Sequence, residues 1–88
     1  YDRYNTKLMH RDKFNSLTLA EKADIVFQKD SFIDTREYYN QSINLYLVHG
    51  FYVEVWYNST ENKIVAISLP ETKELSLYNS PINLSGLL

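Results

Sequence analysis

Apolar positions recur with two different periods along this chain: that of a helix from Thr18 to Phe27, and a period of two from Phe32 to Leu69. The tetrapeptide Thr18-Leu19-Ala20-Glu21 opens the first region with a capping box. Thr18 can accept from the Glu21 backbone N–H while the Glu21 carboxylate reaches back to the Thr18 N–H. Behind this cap Leu19, Ala23, Val26 and Phe27 fall on one stripe, with Ala20 at its edge. Glu21, Asp24, Gln28 and Lys29 take the opposite face, and Ile25 falls outside the stripe. The spacing predicts an amphipathic helix that ends near Asp30-Ser31.

Four strands follow from the change of period. Phe32 to Tyr39 alternates weakly and carries three charges, which suits a sheet edge. Tyr39-Asn40-Gln41-Ser42 has the composition of a turn. Ile43 to Tyr57 reads as a hairpin around Gly50, Asn58 to Asn62 as a loop, and Lys63 to Leu69 as a last strand stopped by Pro70. Short turns between successive strands favour antiparallel pairing in chain order. The expected fold class is therefore α+β: one amphipathic helix packed on a four-stranded antiparallel meander sheet. An irregular or short-helical C-terminal tail follows. Residues 16–88 form the single domain and residues 1–15 an N-terminal arm.

The hairpin admits two registers. A two-residue turn at His49-Gly50 pairs Val48 with Phe51 and sets Glu54 on the same face as Ile43, Leu45 and Leu47. A three-residue loop, Val48-His49-Gly50, pairs Leu47 with Phe51 and makes Gly50 the left-handed residue of a bulge. The second register segregates the side chains. Ile43, Leu45, Leu47, Phe51, Val53, Val55 and Tyr57 share one face, joined by Val65, Ile67 and Leu69. Asn44, Tyr46, Tyr52, Glu54 and Trp56 share the other. A slip of one residue reverses every side chain, so segregation favours the three-residue loop. The aliphatic face then takes the helix. Cover for the aromatic face comes from the tail, through Ile82, Leu84, Leu87 and Leu88, from the arm, or from a partner. An open ligand platform is the remaining arrangement.

Composition narrows the function classes. Eighty-eight residues with 44% apolar content make one modest core. Without cysteine there is no disulfide framework and no thiolate metal site. The longest apolar runs are a few residues, too short for a membrane span. A net charge of -2 argues against a dedicated nucleic-acid binder. The charge is uneven, however: Arg3, Lys7, Arg11 and Lys13 outnumber Asp2 and Asp12 in the arm, and five basic residues face nine acidic ones in the remainder.

Candidate chemistry is sparse. His10 and His49 have no nucleophile or metal-ligand spacing around them and read as surface residues. Two glycines exclude a glycine-rich phosphate cradle, and no cofactor motif is present. Asn40, Asn58 and Asn83 open three glycosylation-type tripeptides, which chance explains in a chain rich in Asn and Ser. Glu54 reads as a strand-exposed glutamate.

Taken together, LTLAEKADIVF, DTREYYN, INLYLVHGFYVEVWYN and NKIVAISL resemble small uncharacterised bacterial proteins in which an N-terminal helix precedes an aromatic β-hairpin. The likeness covers about Leu17 to Leu69 and leaves out the arm. It implies a bacterial or mobile-element origin and a cytoplasmic setting, and brings no activity with it.

Aromatic side chains with polar tips are what protein interfaces use. The expected function is a non-enzymatic protein-interaction module (an adaptor, inhibitor or immunity-like protein) that binds another protein or a second copy of itself through Tyr46, Tyr52, Glu54 and Trp56. The alternative is a nucleic-acid-binding accessory protein, in which Arg3, Lys7, Arg11 and Lys13 lie beside those aromatics.

Overall fold

The computed structural model describes residues 9–28 and 31–79. The Ile82–Leu88 part of the tail, Arg3 and Lys7 lie outside the described residues. Within them the chain forms a four-stranded antiparallel sheet in the order β1-β2-β3-β4, with three short helices. The strands are β1 (Phe32–Tyr38), β2 (Gln41–Val48), β3 (Phe51–Asn58) and β4 (Lys63–Ser68). The helices are α1 (Arg11–Asn15), α2 (Leu19–Val26) and α3 (Thr72–Leu75). No helix among the described residues is long and apolar enough to cross a membrane.

Helix α2 begins at the capping box read from the sequence. Thr18 Oγ1 accepts from Glu21 N at 3.1 Å and the Glu21 carboxylate accepts from Thr18 N at 2.9 Å. It ends earlier than expected, at Val26, with Phe27 as its C-cap. The shortening changes which side chains face the sheet. Val26 is buried, and Ala23 and Ile25 pack against the same cluster, whereas Leu19 and Phe27 are largely exposed. The stripe drawn through Leu19 and Phe27 is thus displaced towards Ile25.

The hairpin register differs from the expected one. Val48 pairs with Phe51 and Leu47 with Tyr52, so the turn is the two-residue His49-Gly50. Both residues have positive φ, +50° and +87°, the signature of a type I′ turn, whose twist matches that of the flanking strands. Gly50 is left-handed as expected, but no third loop residue exists. Consequently the two groups of side chains are dealt out differently. Tyr46, Val48, Phe51, Val53 and Val55 share one face, and Leu45, Leu47, Tyr52, Glu54 and Trp56 share the other.

Each face has its own core. On the first, Val48, Phe51, Val53, Val55 and Ile67 meet Phe14 from α1 and Val26 from α2, and the Phe14 ring meets Phe51 edge-on at 5.5 Å. On the second, Leu45 meets Leu75 from α3 and Tyr78 just beyond it, with Ile33 and Tyr52 alongside. A sheet covered on both sides has no reason to segregate aliphatic from aromatic residues, and the expected register rested on that segregation. Irregularities adapt the edges. β1 shifts register between Phe32 and Asp34, and β3–β4 shifts at Trp56/Tyr57, which leaves Val65 exposed while Ile67 stays buried opposite Val55.

The turn makes a direct prediction. A Cβ at Gly50 would meet nothing within 4 Å, so Gly50→Val loses stability only through its left-handed backbone, by about 1–2 kcal/mol. Urea unfolding measures this, and an unchanged midpoint would contradict the turn geometry.

Candidate functional site

Register decides what happens to Glu54. It lies opposite Leu45 on β2 and is 1% exposed, a carboxylate inside a core. A buried charge persists only when it is paired and hydrogen-bonded. Two elements supply the partners. Arg36 points from β1, at the position opposite Ile43, and donates to Glu54 Oε2 through Nη2 at 3.1 Å and Nε at 3.3 Å. Tyr78 donates its hydroxyl to the same oxygen at 2.6 Å. The Arg36 guanidinium lies 5.8 Å from the Trp56 ring and 5.5 Å from the Tyr78 ring, so cation–π attraction adds to the ion pair. The segment after α3 is further pinned by Asn79 N, which donates to Asp34 Oδ2 at 3.1 Å.

Glu54 is therefore a buried structural acid and not the exposed strand glutamate expected. The error has a physical source. Segregation disfavours the two-residue turn because it puts a carboxylate among leucines, and the cation that joins it there lies 18 positions away in the sequence. With Glu54 on that face, Arg36 on β1, the next strand but one, reaches it across β2.

The other expected site residues separate. Tyr46 is on the opposite face from Tyr52, Glu54 and Trp56, with its ring edge-on to Phe27 at 5.6 Å and Phe32 at 5.8 Å. Tyr52 sits against the Leu45–Leu75–Tyr78 cluster. Trp56 is half-buried, and its indole N–H donates to Ser68 Oγ at 3.2 Å. Of the basic residues, Arg11 and Lys13 are exposed on α1. Arg11 lines a groove of about 460 Å³ with Asn15, Tyr52, Leu69, Glu71 and Leu75. Tyr52 is four residues from Trp56 along β3, about 13 Å, so Arg11 and Trp56 occupy different ends of the sheet.

Two residues absent from the expected set complete the neighbourhood of Trp56. Tyr38 stands edge-on to Trp56 at 6.2 Å and to Tyr39 at 4.6 Å. Tyr38 is 52% exposed and Tyr39 is 89% exposed. Tyr39 also has φ +56° in the β1–β2 turn, where glycine or asparagine fits with less strain. Ser59 N donates to Asn40 O at 3.3 Å, tying this turn to the β3–β4 turn. A large aromatic at a turn position that calls for Gly or Asn was the sequence signal that could have found this corner.

No group of three or more His, Asp or Glu side chains among the described residues is placed to hold a metal ion. Comparison with protein-family models, curated proteins and solved structures finds no match to this chain.

Removing Arg36 leaves Glu54 buried and uncompensated. Arg36→Ala is expected to cost about 3–5 kcal/mol in urea unfolding, whereas Arg36→Met with Glu54→Leu and Tyr78→Phe, which leaves no buried polar group unpaired, is near neutral. A loss below about 1 kcal/mol for Arg36→Ala would place the pair at the surface.

Burial, reinforced by the Glu54 carboxylate, pushes the Tyr78 hydroxyl well above its ordinary value of 10.0. The fold favours the protonated form. Its contribution is complete below about pH 10 and is lost as pH climbs above that. Alkaline unfolding should show this loss, and Tyr78→Phe should remove that part of the pH dependence.

Proposed function

We propose that the protein is a non-enzymatic protein-interaction module, an adaptor, inhibitor or immunity-like protein, and that Tyr38, Tyr39 and Trp56 form its contact corner. One observation carries this reading: Tyr39 holds a bulky ring in a left-handed turn conformation and exposes nearly all of it. Such strain costs about 1–3 kcal/mol, and an exposed ring returns little of it to the core. A role outside the fold accounts for the ring. Tyr and Trp are among the residue types that dominate binding energy at protein interfaces, and the Arg36 guanidinium lies 5.8 Å from the Trp56 ring.

The occupant of the corner is another protein or a second copy of this chain. On the same reading α2 is the amphipathic support packed on the far side of the sheet, and the setting is cytoplasmic. The nucleic-acid alternative draws its charge from Arg11 and Lys13, and Arg11 lies by Tyr52 and not by Trp56. Salt separates the two: phosphate contacts weaken steeply as salt rises.

Tyr39→Asn tests the proposal, since asparagine accepts the turn and removes the ring. The expected result is an unfolding midpoint equal to or above that of the native chain. Association should weaken by about 2 kcal/mol, read by sedimentation for self-association and by affinity capture for another protein. A destabilised variant, or unchanged association, contradicts the assignment.

A further inference from the structure

The chain has two histidines, and both accept a backbone N–H of the same segment. His10 is the N-cap of α1, where its Nδ1 accepts from Asp12 N at 3.4 Å. His49, in the hairpin turn, accepts from Met9 N through Nδ1 at 3.3 Å. The segment that His49 ties to the hairpin carries Phe14, which is fully buried against Phe51. His49 itself stands at φ +50°, a position where asparagine is the favoured partner of the following glycine.

We propose that His10 and His49 form a pH-sensitive latch: while both imidazoles are neutral His49 holds the α1 segment on the sheet and His10 caps that segment's helix, and protonation of the pair loosens it. A neutral imidazole offers one acceptor nitrogen. A protonated one has an N–H at both positions and accepts nothing, so each bond would become an N–H facing an N–H. Imidazole is the side chain that ordinarily changes charge between about pH 5 and 8.

The surrounding charges do not restore the lost acceptors. Asp12 Oδ2 lies 3.9 Å from His10 Nδ1 and attracts the protonated ring, which draws that nitrogen away from capping. Arg11 and Lys13 on the same helix, and Lys22 of α2 at 5.8 Å from the Phe14 ring, add positive charge. Glu71 lines the same groove as Arg11. Among the described residues no acid pairs with His49. Because Arg11 and Asn15 line the groove with Tyr52, loosening α1 opens that end of the sheet.

Asparagine tests the latch at both positions, since it is a good N-cap and the preferred residue before glycine in this turn. Amide exchange of Phe14 and its neighbours is measured at about pH 7.5 and about pH 5. Rates are corrected for intrinsic exchange and referred to the strand amides. In the native chain, α1 protection relative to the strands is expected to fall at least about tenfold, the worth of one of the two lost hydrogen bonds. In the His10→Asn, His49→Asn double variant the ratio is expected to stay constant. Parallel loss in helix and strands of the native chain, or a response that survives in the double variant, overturns the latch. Nitrogen-15 shifts of the native imidazoles test it without substitution: at about pH 7.5 both rings should carry their proton on Nε2. The opposite tautomer at His49 overturns it.

Discussion

A carboxylate inside a β-sheet core is the constraint on which the remaining geometry depends. Glu54 stands 1% exposed opposite Leu45, and its Oε2 receives donors from β1 and from the segment after α3. Those donors join three parts of the chain that are remote in sequence. Arg36 sets the face that β1 presents, Glu54 fixes the register of β3 against β2, and Tyr78 fixes where the chain beyond α3 lies. A buried pair of this kind adds little net stability compared with hydrophobic residues of the same volume. Its effect is selective: in the alternative hairpin register Leu45 and Leu47 would leave the face of Glu54 for that of Val53 and Val55, and Tyr46 would take their place beside the carboxylate.

Two cores follow from that choice. With Glu54 and Leu45 on one face, Val53 and Val55 are turned to the other, where Phe14 and Val26 meet them. The pleat gives every strand residue one of two environments, and here both are enclosed near the middle of the sheet. Exposed aromatics are left at the periphery, at Phe27 and Phe32 near one end of β1 and at Tyr38 and Tyr39 near the other. The proposed contact corner and the proposed histidine latch are therefore separated along the strands. They can be perturbed independently.

Local signals in the sequence were legible because their physics is local. The Thr18–Glu21 cap, the left-handed Gly50 and the four strands each depend on residues within a few positions of one another. The hairpin register was not legible by side-chain segregation, because a carboxylate among leucines looks unfavourable until its distant partners are known. Tyr78 is 24 positions from Glu54 and Arg36 is 18. The helix stripe misled for a different reason: α2 ends at Val26, so Phe27 leaves the helix and Ile25 turns inward. The site was the least legible part. Segregation places Tyr46 with Tyr52, Glu54 and Trp56, whereas the observed pairing sets it on the opposite face, and Tyr38 and Tyr39 read locally as no more than a strand end and a turn.

The most direct test of this account is the pairing of the hairpin itself, read from cross-strand proton contacts by nuclear magnetic resonance. The two-residue turn requires close backbone contacts between Leu47 and Tyr52 and between Leu45 and Glu54. Observing both, together with contacts from the Tyr78 ring to the Arg36 side chain, is the result the account predicts. Contacts of Leu47 with Phe51 and of Leu45 with Val53 would put Leu45 and Glu54 on opposite faces and contradict it.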